Sequence, residues 1–113
     1  MPVPLYQAKA EFFRTLGHPA RIRVLELLSE APTPVHELRS RIEIEASNLS
    51  QQLAVLRRSG LVTQHREAGE VIYSLAIPEV RDLLAAARGI LQAQKAEQQT
   101  LVDELTRESG GSR

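Results

Sequence analysis

Between residues 47 and 62 the sequence SNLSQQLAVLRRSGLV gathers amides, hydroxyls and arginines on a single helix. Leu49, Leu53 and Leu56 recur at i, i+4 and i+7, which is the spacing of a buried helical stripe. Half a revolution away, Ser47, Gln51 and Arg58 point outward, with Asn48 and Val55 beside them. Short neutral side chains of this kind match donors and acceptors on another surface. The edges of base pairs in a DNA major groove are such a surface. Asn48 and Gln51 can make paired contacts with adenine, and Ser47 and Ser50 can bind bases or phosphates. Arg57 and Arg58 come later on the helix, where it would leave the groove and meet the backbone. Arg39, Arg41 and Arg66 lie in the same region, and His65 is a further candidate for phosphate. Taken alone, this helix could equally be the solvated face of a small bundle.

The order of the surrounding elements argues for the groove. Leu5, Ala8, Phe12, Phe13 and Leu16 predict a first helix that Gly17 ends. His18-Pro19 opens a second, with proline in the first turn where its missing N–H is harmless. Ile22, Val24, Leu25, Leu27 and Leu28 cover more than half of its circumference, so it is largely buried and stops near Ala31-Pro32. Thr33 as N-cap and Pro34 at the next position start a short helix through about Arg41. Residues 42–45 connect it to the helix over 46–59, which Gly60 closes. Two β-type runs follow, Leu61–Arg66 and Val71–Leu75, around a Glu67-Ala68-Gly69-Glu70 turn. Ile77-Pro78-Glu79 then starts a final helix that reaches about Arg107. Two helices joined by a short turn make a helix-turn-helix, and a hairpin directly after them makes the winged variety. The reading is a single domain over 1–107, mainly α with a small hairpin in the order α-α-α-α-β-β-α. Residues 108–113 are expected to form a disordered tail.

Composition fits this and excludes other classes. The chain has 113 residues, net charge zero, no cysteine and no tryptophan. Disulfides, thiolate metal sites and thiol redox switches are therefore excluded. There is no long apolar run to span a membrane and no secretory signal at the start, so a cytoplasmic location is expected. The neutral total hides an asymmetry: residues 1–66 carry nine Lys and Arg against six Asp and Glu, while 67–113 carry five against eight. The positive excess falls in the half that holds the helix-turn-helix.

Four stretches in this order, FRTLGHPARIRVLELL (13–28), VHEL (35–38), SNLSQQLAVLRRSGLV (47–62) and REAGEVIYSL (66–75), resemble the ArsR/SmtB family of small dimeric winged-helix repressors. The resemblance runs from about Leu5 to Leu101. It implies a homodimer through the first and last helices that binds a two-fold DNA operator and blocks transcription. It also implies base contacts from Ser47, Asn48, Ser50 and Gln51, with Gln52 at the margin, and a dimer face on the first helix at Leu5, Phe12 and Leu16. On the last helix the seam can be read directly, since Val80, Leu84, Ala87, Leu91, Gln94, Gln98, Leu101 and Leu105 alternate spacings of four and three. The plain alternative there is an amphipathic helix covering its own core. One departure is the hairpin tip, where Glu67 and Glu70 stand in place of the basic residues that relatives often carry.

No metal switch or cofactor is expected. The family's thiolate motif corresponds here to Pro34, Val35 and His36, and the last helix has Glu79, Asp82, Glu97, Asp103 and Glu104 but no histidine. Without thiolate or imidazole, a tight zinc-type site lacks its ligands. His18 is read as a capping residue and His36 as a surface residue. No glycine-rich phosphate loop or nucleophile set points to an enzyme. No residue set specifies an effector, and Gln94 and Gln98, near the dimer seam, are where one would be sought. The expected function is a sequence-specific DNA-binding regulator, a dimeric repressor reading an inverted repeat through the helix over 46–59. The alternative is a winged-helix module for a protein partner with weak or no DNA binding, an idea kept open by the acidic tip and the neutral charge.

Overall fold

The computed structural model describes residues 2–111 and places them in two compact units, the first ending at Arg81 and the second beginning at Asp82. The first unit holds α1 (Leu5–Leu16), α2 (Pro19–Glu30), β1 (Thr33–Pro34), α3 (Val35–Ile42), α4 (Ala46–Arg58), β2 (Val62–Glu67) and β3 (Glu70–Leu75). The last helix, α5 (Glu79–Gly111), starts in the first unit and supplies the whole described part of the second.

Helix α2 is the hub of the first unit. Its Val24, Leu25, Leu27 and Leu28 are buried, as are Leu38 of α3 and Leu49, Leu53 and Leu56 of α4. Leu61, Val62 and Tyr73 close the core from the hairpin side. Each such side chain contributes about 1.5–3 kcal/mol on leaving water, so this cluster fixes how α3 and α4 are held. At the start of α2, His18 is the N-cap, and its Nδ1 accepts from the Ala20 N–H at 3.2 Å. This is the capping role the sequence suggests.

The helix-turn-helix is made by a left-handed residue. Glu43 caps α3 at φ 57°, ψ 52°, and its N–H donates to the Arg39 carbonyl at 3.0 Å. A non-glycine residue pays a steric cost in this region. The gain is an abrupt change of direction, after which α4 begins at Ala46.

The hairpin is in the register that pairs Glu67 with Glu70 and Val62 with Leu75. That leaves Ala68 and Gly69 as a two-residue turn, with φ of 53° and 82°. Positive φ at both positions is the hairpin turn whose twist matches its strands. The strands themselves run one residue further at the turn than expected. A third strand was not expected. β1 pairs antiparallel with β3, Thr33 opposite Tyr73 and Pro34 opposite Ile72, giving the sheet order β1-β3-β2. Thr33 is therefore not an N-cap: its hydroxyl donates to the Ala31 carbonyl at 2.9 Å, and Pro34 takes the N-cap position of α3 without a side-chain cap. A proline is tolerated on this edge because it has no N–H to pair.

Three further expectations change. Leu16 and Val80, predicted for the dimer interface, are buried in the first unit's own core. Leu16 ends α1 just before the chain turns through Gly17, and Val80 lies in the first turn of α5. That turn is tied to α2 by Arg81, whose Nε donates to the Ser29 carbonyl at 2.8 Å. Third, α5 remains helical through Gly111, where 108–111 were expected in a disordered tail. Glu108 and Ser109 continue the helix without a break, since neither carries proline's steric block. Residues 112 and 113 of the expected tail lie outside the described residues.

Candidate nucleic-acid interface

The face of α4 opposite its buried leucines carries the candidate base-reading residues. Ser47, Asn48, Ser50 and Gln51 are all exposed, while Leu49, Leu53 and Leu56 anchor the other side. The helix is therefore fixed from behind and open in front. At its C-terminal end the cations Arg57 and Arg58 face the negative end of the helix dipole, and both are exposed.

Gln52 does not belong to the exposed set. It is only 7% exposed, and both halves of its amide are engaged. Its Oε1 accepts from Arg21 Nε at 2.8 Å, and its Nε2 donates to Asn48 Oδ1 at 2.9 Å. Its expected place at the margin of the base contacts is corrected: it lies beside Leu49 and Leu56 on the covered side, not on the exposed face with Ser47, Asn48, Ser50 and Gln51. Arg21 is held in turn, its Nη1 donating to the Thr15 carbonyl in the last turn of α1 at 3.1 Å. Neither Arg21 nor its link to α4 is visible in the spacing of α4 itself.

Between α3, α4 and the hairpin lies an open cavity of about 620 Å³. Arg39, Ser50 and Arg57 line it together with Gln64 and Tyr73. With the Gln64 amide oriented to suit its neighbours, its oxygen accepts from Arg57 Nη1 and Nη2 at 2.9 and 3.2 Å, and its nitrogen donates to the Tyr73 hydroxyl at 3.0 Å. Arg57 is thereby steadied against β2, whereas Arg39, Arg58 and Arg66 form no ion pair among the described residues. Arg41 is paired with Glu30 at 3.5 Å.

The acidic tip of the hairpin is flanked by imidazoles. His65 Nε2 stands 3.3 Å from Glu67, and His36 Nδ1 stands 3.7 Å from Glu70. Both pairs are exposed, where ion pairs contribute little. Among the described residues no group of three or more His, Cys, Asp or Glu gathers to hold a metal ion. No helix among them is long and apolar enough to cross a membrane.

The other predicted dimer residues are on the surface or half-covered. On α1, Leu5 is exposed and Phe12 half-buried. Leu84 of α5 is half-buried, and Ala87, Leu91 and Leu101 are exposed. Leu105, the last residue of the seam, is exposed as well, and further exposed apolar surface lies outside it: Tyr6 and Phe13 on α1, and Ile90 and Val102 on α5.

Comparison with known proteins gives a consistent result. A family model described as a helix-turn-helix domain matches residues 16–65, which span α2, α3 and α4. The HTH-type transcriptional regulator Rv0081 of Mycobacterium tuberculosis is 50% identical over 110 residues, covering 96% of this chain and 95% of that protein. Its crystal structure superposes with a TM-score of 0.77 at 52% identity, covering 86% of this chain and 98% of the other. A biofilm growth-associated repressor of Agrobacterium fabrum is 35% identical over 97 residues, covering 82% of this chain and 83% of its own length. A homodimeric winged helix-turn-helix DNA-binding domain of Mycobacterium bovis shares the fold, with a TM-score of 0.72 at 22% identity over 82% of this chain and 86% of that one.

Proposed function

The chain belongs to the ArsR/SmtB family of winged-helix DNA-binding transcriptional regulators, and from that premise we propose that it is a homodimeric repressor that reads an inverted-repeat operator with α4 in the major groove. One observation carries the reading: Ser47, Asn48, Ser50 and Gln51 are exposed on a helix whose opposite face is locked into the core. An element narrow enough for the major groove, rigidly backed and tipped with amides and hydroxyls, suits direct readout of base edges. Arg39, Arg57, Arg58 and Arg66, with His65, are the proposed phosphate contacts. Such contacts set register on the duplex and carry most of the affinity. The tip residues Glu67 and Glu70 repel phosphate, so Arg66 and His65 are the part of the hairpin suited to the backbone. The relatives are named as regulators and a repressor, which favours DNA over a protein partner as the target of this face.

The proposed dimer uses the exposed apolar side chains of α1, Leu5, Tyr6 and Phe13, and those of α5, Ile90, Leu91, Leu101 and Leu105. Leu91, Leu101 and Leu105 fit heptad-like spacing on α5, the pattern of a helix that pairs with another. The relative from Mycobacterium bovis is described as homodimeric, in keeping with this arrangement. The proposed location is the cytoplasm, in keeping with a DNA target, and the proposed readout uses no cofactor. The test is selection of bound duplexes from a random pool by the purified protein, followed by titration over a range of salt. An enriched inverted repeat whose affinity falls steeply with salt supports the proposal. Sequence-insensitive binding with a shallow salt slope contradicts it.

A further inference from the structure

The bond from Gln52 to Asn48 has a definite polarity, and Arg21 sets it. A guanidinium has donors and no acceptor. The atom of Gln52 that meets Arg21 Nε at 2.8 Å is therefore its oxygen. With Oε1 committed there, the Gln52 nitrogen is what meets Asn48 at 2.9 Å, and the Asn48 atom that receives it is Oδ1. The Asn48 amide is thus held with its oxygen toward Gln52 and its NH₂ group on the remaining, outer side. A free asparagine can turn its amide over to suit the base it meets. This one is held in one sense by a chain that begins at the Thr15 carbonyl in the last turn of α1 and runs through Arg21 and a buried Gln52.

We propose that Gln52 is a positioning residue that fixes Asn48 as a hydrogen-bond donor, so that Asn48 selects base edges rich in acceptors, guanine above adenine and cytosine. The inference rests on α4 reading DNA and deepens that reading. In the major groove guanine offers two acceptors, N7 and O6, whereas adenine offers one acceptor beside a donor and cytosine offers a donor. The paired adenine contact that the sequence suggests for Asn48 needs donor and acceptor facing the base together. Here the acceptor already serves Gln52 and is turned inward. Gln51, exposed and without a hydrogen bond to another described side chain, keeps that option.

Reversing the polarity of the chain tests the proposal. In Gln52→Glu the carboxylate still accepts from Arg21 but can no longer donate to Asn48. The Asn48 amide then turns its NH₂ group inward to the carboxylate and its oxygen outward. In Gln52→Leu the restraint is removed and the amide is free. Wild type, both variants and Asn48→Ala are titrated against operator duplexes carrying each of the four bases at the position where Asn48→Ala loses discrimination. Thermal unfolding of each protein is recorded alongside. Wild type is expected to prefer guanine there by about 5- to 150-fold, the range of one good base contact. Gln52→Glu is expected to move the preference to cytosine or adenine, and Gln52→Leu to bring adenine level with guanine. If Gln52→Glu does not fold, Gln52→Leu decides. A ranking unchanged from wild type in a folded Gln52 variant, at a position that Asn48→Ala does alter, overturns the positioning role while leaving base readout by α4 intact. An Asn48→Ala protein that ranks bases as wild type does at every position removes Asn48 from the readout, and the inference with it.

Discussion

Replacing Gln51 by Ala isolates the base-reading function of α4. The side chain is exposed, and no hydrogen bond joins it to another described side chain, so its loss leaves the fold as it is, within about 0.5 kcal/mol. Any effect must therefore come from DNA. A paired amide contact with a base is worth about 1–3 kcal/mol of discrimination. At 1.4 kcal/mol per decade, this is roughly a 5- to 150-fold loss per half-site. A two-fold dimer places one Gln51 in each half-site, and well-separated contacts add, so the full operator loses about 2–6 kcal/mol. Fluorescence anisotropy with the selected operator measures this, using duplexes substituted in one half-site, in both, and in neither. The variant should lose its preference only at the base that Gln51 reads. On duplexes already substituted there, it should bind as wild type does. An equal loss on every duplex, including unrelated sequence, refutes the reasoning, because a residue that reads bases cannot weaken all sequences alike.

Other perturbations separate affinity, fold and assembly. Arg58→Ala should weaken all sequences about equally and lower the slope of log affinity against log salt by about 0.9 per subunit, as salt titration will record. Leu56→Ala, at a fully buried site behind α4, should cost about 2–5 kcal/mol in denaturant unfolding. Glu43→Gly relieves a left-handed residue in the helix-turn-helix turn and should raise stability by up to about 1 kcal/mol in the same assay. Leu91→Glu places a charge on the exposed apolar face of α5, and sedimentation equilibrium should show a shift from dimer toward monomer.

Much of the first unit could be read from the residues. The leucine stripe of α4, the proline that opens α2 and the glycine in the hairpin turn are local signals, and the elements lie within a few residues of where those signals put them. What escaped was long-range. Thr33-Pro34 has every mark of a helix start, and only the open edge of β3 draws it into a sheet. Val80 fits an apolar seam by spacing and Leu16 the apolar face of α1, yet spacing cannot tell a core that closes within the chain from one that a second copy closes. Gln52 is the instructive case. It stands three residues after Leu49 and four before Leu56, which already places it at the edge of the covered face, and four after Asn48, within bonding range on a helix. The family resemblance put it at the margin of the base contacts, and its own position on the helix argues for the covered side. Its partner Arg21, thirty-one residues earlier in the chain, could not be found from spacing at all.

The most direct test of the central claim asks which groove the protein enters. Dimethyl sulfate methylates guanine N7 in the major groove and adenine N3 in the minor groove. Footprinting the selected operator with it, in the presence and absence of the protein, reports on both. Entry of α4 predicts protection of N7 in two patches centred about one helical turn, roughly 10 base pairs, apart, with N3 reactivity between them unchanged. Protection confined to N3, or none at saturating protein, contradicts the account.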